Sequence, residues 1–386
     1  MRRVLPVLIF IIVFIYISPA CGATPKLEIY RESPENEPAG QVIWRLSGLD
    51  KLVGDIMSIP EGNLLLPTGK KMIFVNAKGA VVSEIKMPSG TGAGNPVLTG
   101  KGSIFTATAS SIQETKLNGA RGWGLSVYPA GKGAKSSLLA GGPGDLLYLP
   151  HSTALYAVDL SGRLAWMLPW NTTDTRMTKL PDREFPAVVS GKKVVYTVYG
   201  SKKEGFRLAA ANENGEFLWN YWLGDVKQAY LKVGPGDRLF ATVSPKSIDR
   251  LNKGTVYCFN ANSGGRPQWS CRIAYNDLSA PALCGDTLYM SAGKKVYAVD
   301  AGTGSIIWHD PIKNLASPPA ADSGTGRVYA GSSDNYVFVL SSTGRSHWLR
   351  ELDGQVTRAP LAGADGYLYI FTDKGSLYKI KDNWKE

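Results

Sequence analysis

Apolar and polar residues alternate in short runs along most of the chain, and each run stops at Asp, Asn or Ser followed within a few residues by Gly. The stretch Tyr297-Ala-Val-Asp300-Ala-Gly-Thr-Gly304-Ser-Ile-Ile-Trp308 shows the pattern in full. Alternation with a period of two predicts a strand. Asp300 then starts a turn by bonding its own backbone, and Gly304 supplies the positive φ that closes it without a Cβ clash. The outgoing strand ends in Trp308, so the unit reads as a β-hairpin carrying one large ring. Tyr156-Ala-Val-Asp159-Leu-Ser-Gly162-Arg-Leu-Ala-Trp166 is a second copy. Others turn at Asn212/Gly215, Asn260/Gly264 and Ser341/Gly344, and end at Trp219, Trp269 and Trp348. Looser copies run from Phe74 to Ser83 and from Val127 to Ser136, and a half copy ending at Trp44 stands near the beginning.

Two further strand signals precede each hairpin, as at residues 280–286 and 287–292, or 317–321 and 327–331. Four short strands per unit is the arithmetic of a propeller blade. The anchors Trp44, Ser83, Ser136, Trp166, Trp219, Trp269, Trp308 and Trp348 are spaced by 39, 53, 30, 53, 50, 39 and 40 residues, which brackets the repeat length of propellers. The last unit lacks a fourth strand, while residues 41–46 supply one too many at the start. Pairing the two closes the ring and removes two sheet edges. The expectation is an all-β chain: one β-propeller over residues 41–386 with eight blades, seven being the alternative that the 30-residue spacing leaves open. Residues 24–40 read as a linker.

The composition agrees with this architecture. The 386 residues include 43 Gly, 10 Trp and 18 Tyr, and no long Ala/Glu/Lys/Leu run. Three scattered His and four Cys argue against a multi-ligand zinc site or a disulfide-dense scaffold. Arg2 and Arg3, an apolar run from Val4 to Ile17, and small residues up to Ala23 describe an export signal over residues 1–23. Two processing outcomes fit: cleavage after Ala23, or lipidation at Cys21, which would leave a lipid anchor. The formal charge of +11 falls to +9 without this leader, which carries two of the basic residues and no acid. An exported basic protein favours anionic surface polymers over nucleic acid, and no basic helix or zinc-finger spacing argues otherwise.

The five Trp hairpins resemble the tryptophan-docking repeat of pyrroloquinoline-quinone-type propellers (the quinoprotein alcohol dehydrogenase-like fold). They are similar in particular to its non-enzymatic members, among them the propeller lipoprotein of the outer-membrane barrel-assembly machinery. For the dehydrogenases the resemblance implies a vicinal Cys–Cys ring over the quinone, a bound calcium and an Asp base. Here Cys258, Cys271 and Cys284 are each 13 residues apart; calcium takes six to eight oxygens, and the candidate loops at residues 212–216 and 322–326 match a plain hairpin turn equally well. Neither pyrroloquinoline quinone nor calcium is therefore expected as a cofactor. His151, His309 and His347 fall in separate repeats, outside any catalytic motif. Gly100-Lys101-Gly102 lacks the Ser or Thr and the following helix of a phosphate loop. No catalytic or metal site is assigned.

Two constellations remain. Cys258 and Cys271 flank a turn centred between Gly264 and Gly265, which makes them a candidate disulfide; buried free thiols are the alternative. Lys70, Lys71, Lys202, Lys203, Lys294 and Lys295 fall at connections between second and third strands, and the insert carrying Lys246 and Arg250 falls there too. The insert with Lys116 and Arg121 is placed on the same side. A ring would gather these on one face as a candidate basic binding surface, diluted by Asp334 and Asp373. The expected function is a monomeric, non-catalytic, exported platform binding envelope proteins. A quinone-dependent oxidoreductase and a binder of cell wall or acidic glycans are the alternatives.

Overall fold

The computed structural model describes residues 25–30, 40–59, 62–87, 95–99, 102–108, 111–126, 139–142, 145–150, 154–170, 188–189, 194–201, 204–247 and 253–382. Eight antiparallel sheets follow one another around a ring, seven of four strands and one of five. Blade 1 comprises Met57–Ile59, Asn63–Pro67, Lys71–Val75 and Val81–Lys86, and blade 2 comprises Val97–Leu98, Ser103–Ala107, Ser111–Lys116 and Arg121–Ser126. Blade 3 is Ala140–Gly142, Leu146–Pro150, Ala154–Asp159 and Leu164–Pro169; blade 4 is Val188–Val189, Val194–Ser201, Gly205–Asn212 and Phe217–Gly224. Blade 5 is Val226–Val233, Arg238–Pro245, Gly254–Asn260 and Trp269–Ile273; blade 6 is Ala282–Cys284, Thr287–Ala292, Lys295–Asp300 and Ile306–Pro311. Blade 7 is Ala320–Asp322, Arg327–Gly331, Tyr336–Leu340 and Ser346–Glu351. Blade 8 takes Leu361–Ala362, Tyr367–Phe371 and Leu377–Lys381 from the C-terminal end, then Gln41–Ser47 from the other end of the chain.

Lys26–Ile29 adds a fifth strand outside Gln41–Ser47, with Lys26 opposite Ser47 and Ile29 opposite Trp44. Part of the segment expected as a linker is thus a strand. Its Lys-Leu-Glu-Ile alternation explains this: Leu27 packs on the cluster around buried Trp44, while Glu28 pairs with Lys26 at 2.8 Å. The added strand covers the outer edge of Gln41–Ser47, and the edge it presents in turn is only four residues long.

The blades are coupled by the tryptophans. Each indole N–H donates to a carbonyl in the hairpin turn of the next blade: Trp44 to Ala77, Trp166 to Glu213, Trp219 to Ala261, Trp269 to Ala301 and Trp308 to Ser342. The ring lies against the turn glycine. A Cβ on Gly344 would sit 2.8 Å from the Trp308 ring, and its φ of 85° already disfavours a side chain. In blades 1, 3, 4, 6 and 7 the ladder slips by one residue next to the residue facing the anchor, a β-bulge that adds local twist.

Blade 2 corrects one anchor. Its hairpin runs through Ser111–Lys116 and Arg121–Ser126, and Trp123 donates to Leu160 O at 2.9 Å. Residues 127–138, read as a hairpin ending at Ser136, lie outside the described residues. With Trp123 in place of Ser136 the first four spacings become 39, 40, 43 and 53, and the case for seven blades disappears.

Ring closure is polar as well as apolar. Arg45 on the N-terminal strand meets Asp353 at 2.5 Å, and Asp353 also accepts from Ser376 and Thr372 at 2.6 and 2.8 Å. Lys379, buried on the last strand, pairs with Asp365 at 2.9 Å, donates to Ala77 O and lies 3.9 Å from the Tyr367 ring centroid. Burial pushes Asp353 and Asp365 up, but the other contacts together outweigh it: Ser376, Thr372 and Arg45 for the first, Tyr369 and Lys379 for the second. Both carboxyls end below their ordinary range. A depressed folded pKa contributes stability that is complete above the unfolded value of about 4 and is lost as pH falls through the folded value. Thermal unfolding between pH 7 and pH 2.5 is therefore expected to show a fall in Tm beginning below about pH 4, smaller in Arg45→Met; an equal fall in that variant would remove Arg45 from the latch.

Candidate functional site

Strand direction alternates across each blade, so the connections between second and third strands share one face with the crossings from one blade to the next. Lys70 and Lys71 reach this face in blade 1, Lys246 in blade 5, and Lys294 and Lys295 in blade 6, as the sequence places them. Lys202, Lys203 and Arg250 lie outside the described residues, as does Cys21. Lys71 is paired with Glu84 at 2.7 Å and Lys246 with Asp225 at 3.5 Å. Asp334 and Asp373 occupy the equivalent connections of blades 7 and 8. The rim is thus a mixture of signs. Lys116 and Arg121 flank the hairpin turn of blade 2 and sit on the opposite face, against expectation, with Lys116 bonded to Glu114 and Ser103.

The axis holds what the linear pattern did not show. A cavity of about 1400 Å³ opens on the crossing face. Its walls are the crossings into blades 1, 2, 6, 7 and 8, the inner strand of blade 5, and the Gly293-Lys294 turn of blade 6. Pro281, Pro319 and Pro360 stand immediately before the inner strands of blades 6, 7 and 8. Proline has no N–H to offer a ladder, and these inner strands are two or three residues long. Blade 5 departs from this rule. Only Asp225 separates Phe217–Gly224 from Val226–Val233, and the inner strand runs for eight residues.

Among the described residues four cations line the cavity: Lys227 and Lys232 from that strand, Lys294, and Arg358. Among the described residues none of the four has a carboxylate within 4 Å. The two lining carboxylates are engaged locally, Asp277 by the Gly293 amide at 3.0 Å and Asp55 by Asn95 Nδ2 at 3.0 Å. Tyr230 stands between Lys227 and Lys232, and burial pushes its hydroxyl pKa up. The described lining is therefore cationic, with apolar Pro, Ala and Leu between the charges.

A second feature lies on the outer rim. The fourth strands of blades 3 and 4 expose Leu164 and Met167, then Phe217, Leu218 and Trp222, the last being 61% exposed. These neighbouring strands are unpaired on their outer edges among the described residues.

The cysteine pair is corrected. Cys258 faces Trp269 and Cys271 faces Val256, so the two are diagonal neighbours rather than directly opposed. The hairpin axis falls between Ser263 and Gly264, one residue earlier than the spacing implies, because the turn takes two successive glycines at positive φ. A diagonal pair is too far apart for a bridge. Both thiols are free and buried, and burial pushes Cys258 up to about 11, away from reactivity. Among the described residues no group of three or more His, Cys, Asp or Glu is placed to hold a metal, and no helix is long and apolar enough to cross a membrane.

Comparison with known proteins decides the family. A family model described as outer membrane protein assembly factor BamB matches residues 35–266, with further matches at 211–310 and 292–383. The chain belongs to the BamB family. BamB from Moraxella catarrhalis superposes with a TM-score of 0.65 at 15% identity, covering 89% of this chain and 99% of that one. The computationally designed Ika8 protein gives a TM-score of 0.64 at 12% identity, over 87% and 97% of the two chains. At such identities the two structures speak for the propeller alone. No curated protein matches the chain.

Proposed function

We propose that this BamB-family chain is an exported, non-catalytic propeller that binds other proteins at the cell envelope while outer-membrane proteins are assembled. The observation that carries the reading is the family match, which runs from residue 35 to residue 383 and so takes in every blade. Two surface features support it. The apolar strip of blades 3 and 4, with Trp222 at one end, has the aromatic anchor that protein interfaces favour. The unpaired outer strand Phe217–Gly224 offers a ladder edge of eight residues to an added strand.

The test is affinity capture of the full chain from crosslinked native envelopes, with Trp222→Ser and Leu218→Ser variants alongside. The expected result is recovery of outer-membrane assembly components with the native chain and a loss of at least fivefold with the double variant. Recovery of no such component would overturn the assembly reading. Unchanged recovery with the double variant would overturn the assignment of the strip.

A further inference from the structure

Among the inner strands described, the one in blade 5 is the longest, eight residues against two or three in the other blades. Val226–Val233 pairs with Arg238–Pro245, in unbroken register from Gln228 to Val233 and with a bulge at Lys227, and its other edge borders the axial cavity. Among the described residues, backbone bonds from Lys227 to Val233 all go to that one neighbour or stay within the blade. No proline guards it. An unguarded edge is a template for one more strand, because backbone donors and acceptors in a site shielded from solvent need partners. Its two exposed lysines, Lys227 and Lys232, stand five residues apart, and Arg358 and Lys294 add cationic charge from other walls. At about 1400 Å³ the space exceeds the range usual for small-molecule pockets and suits a peptide segment.

We infer that the axial cavity takes an extended acidic peptide segment of a partner protein, added as a strand to the inner edge of Val226–Val233 with its carboxylates on Lys227, Lys232, Lys294 and Arg358. The backbone ladder supplies affinity without regard to sequence, and the cations select for acidic residues. Apolar side chains of an alternating segment would meet the Pro281, Pro319 and Leu361 walls. This deepens the reading of the protein as a binding platform, on which it rests, and adds a site distinct from the outer strip of blades 3 and 4.

The probe is a labelled ten-residue peptide of alternating Glu and Val, titrated with the full chain by fluorescence anisotropy. Saturable binding is expected. It should weaken at least tenfold for Lys227→Glu/Lys232→Glu and for Arg358→Gln, and at least tenfold between 50 and 300 mM salt. The same peptide N-methylated at alternate residues, which cannot complete the ladder, should also lose at least tenfold. Absence of saturable binding would overturn the inference, as would unchanged affinity in the Lys227/Lys232 variant. Equal binding of the N-methylated peptide would also overturn it, by reducing the site to a general anion trap open to acidic glycans. Envelope capture that is normal in a Lys227/Lys232 variant would leave the assembly reading intact while the cavity proposal fails.

Discussion

Replacing Trp44 with Ala is expected to lower stability by about 3–5 kcal/mol, near the top of what one core truncation costs. Trp44 is 2% exposed and lies on Gln41–Ser47, the strand that blade 8 borrows from the other end of the chain. Its indole tilts against Tyr369 with centroids 6.0 Å apart, donates to Ala77 O at 3.2 Å, and covers Gly79 in blade 1. Removing it opens a cavity between blades 8 and 1 and loosens a strand held to blade 8 only by non-covalent contacts. Trp308→Ala is the comparison, since Trp308 is only half-buried and stands on a strand joined covalently to its blade. Urea denaturation followed by Trp emission should give it no more than half the loss of Trp44→Ala. Equal losses would show that the borrowed strand is no weaker than the rest of the ring.

The second large effect concerns the buried ammonium. Asp365→Ala leaves Lys379, whose side chain is 7% exposed, without its carboxylate, and should cost about 3 kcal/mol. The double variant Lys379→Met/Asp365→Ala should recover most of that loss, because an apolar side chain of similar volume suits a pocket walled by Tyr367 and Tyr369. Opposite Trp44 the ladder holds Lys379, where blades 3, 4 and 6 hold Ala157, Ala210 and Ala298 opposite their own Trp. A double variant as unstable as Asp365→Ala alone would show that the lysine contributes through its donation to Ala77 O and not through the pair.

Blade architecture was legible wherever the hairpin carried both its turn glycine and its tryptophan, as at Gly304 and Trp308. It was illegible in blade 2 for a physical reason. Gly122 and Gly124 interrupt the apolar alternation of the outer strand, and Glu114 is buried where blades 1 and 3 to 7 carry small or apolar residues. A Cβ at Gly122 would collide with the Glu114 side chain, so that strand is built around a carboxylate that a hydrophobic pattern cannot register. The rim lysines were legible because turns announce themselves. The cavity was not, since Lys227, Lys294 and Arg358 are separated by some sixty residues each and meet only because a ring brings the crossings together. One signal was present. The missing proline and one-residue crossing at Asp225 marked blade 5 as different from its neighbours.

The closing sheet also dictates an order of events during biosynthesis. Gln41–Ser47 is synthesised long before its partner Leu377–Lys381. Loop-closure entropy over more than three hundred residues must be met before that pairing returns anything. Until then Val42, Trp44 and Leu46, all buried in the finished ring, have only the short strand Lys26–Ile29 beside them. The chain must carry this sticky stretch half-covered until Leu377–Lys381 is available, so a chaperone that shields it protects the whole molecule, and a truncation that removes that strand leaves it exposed for good.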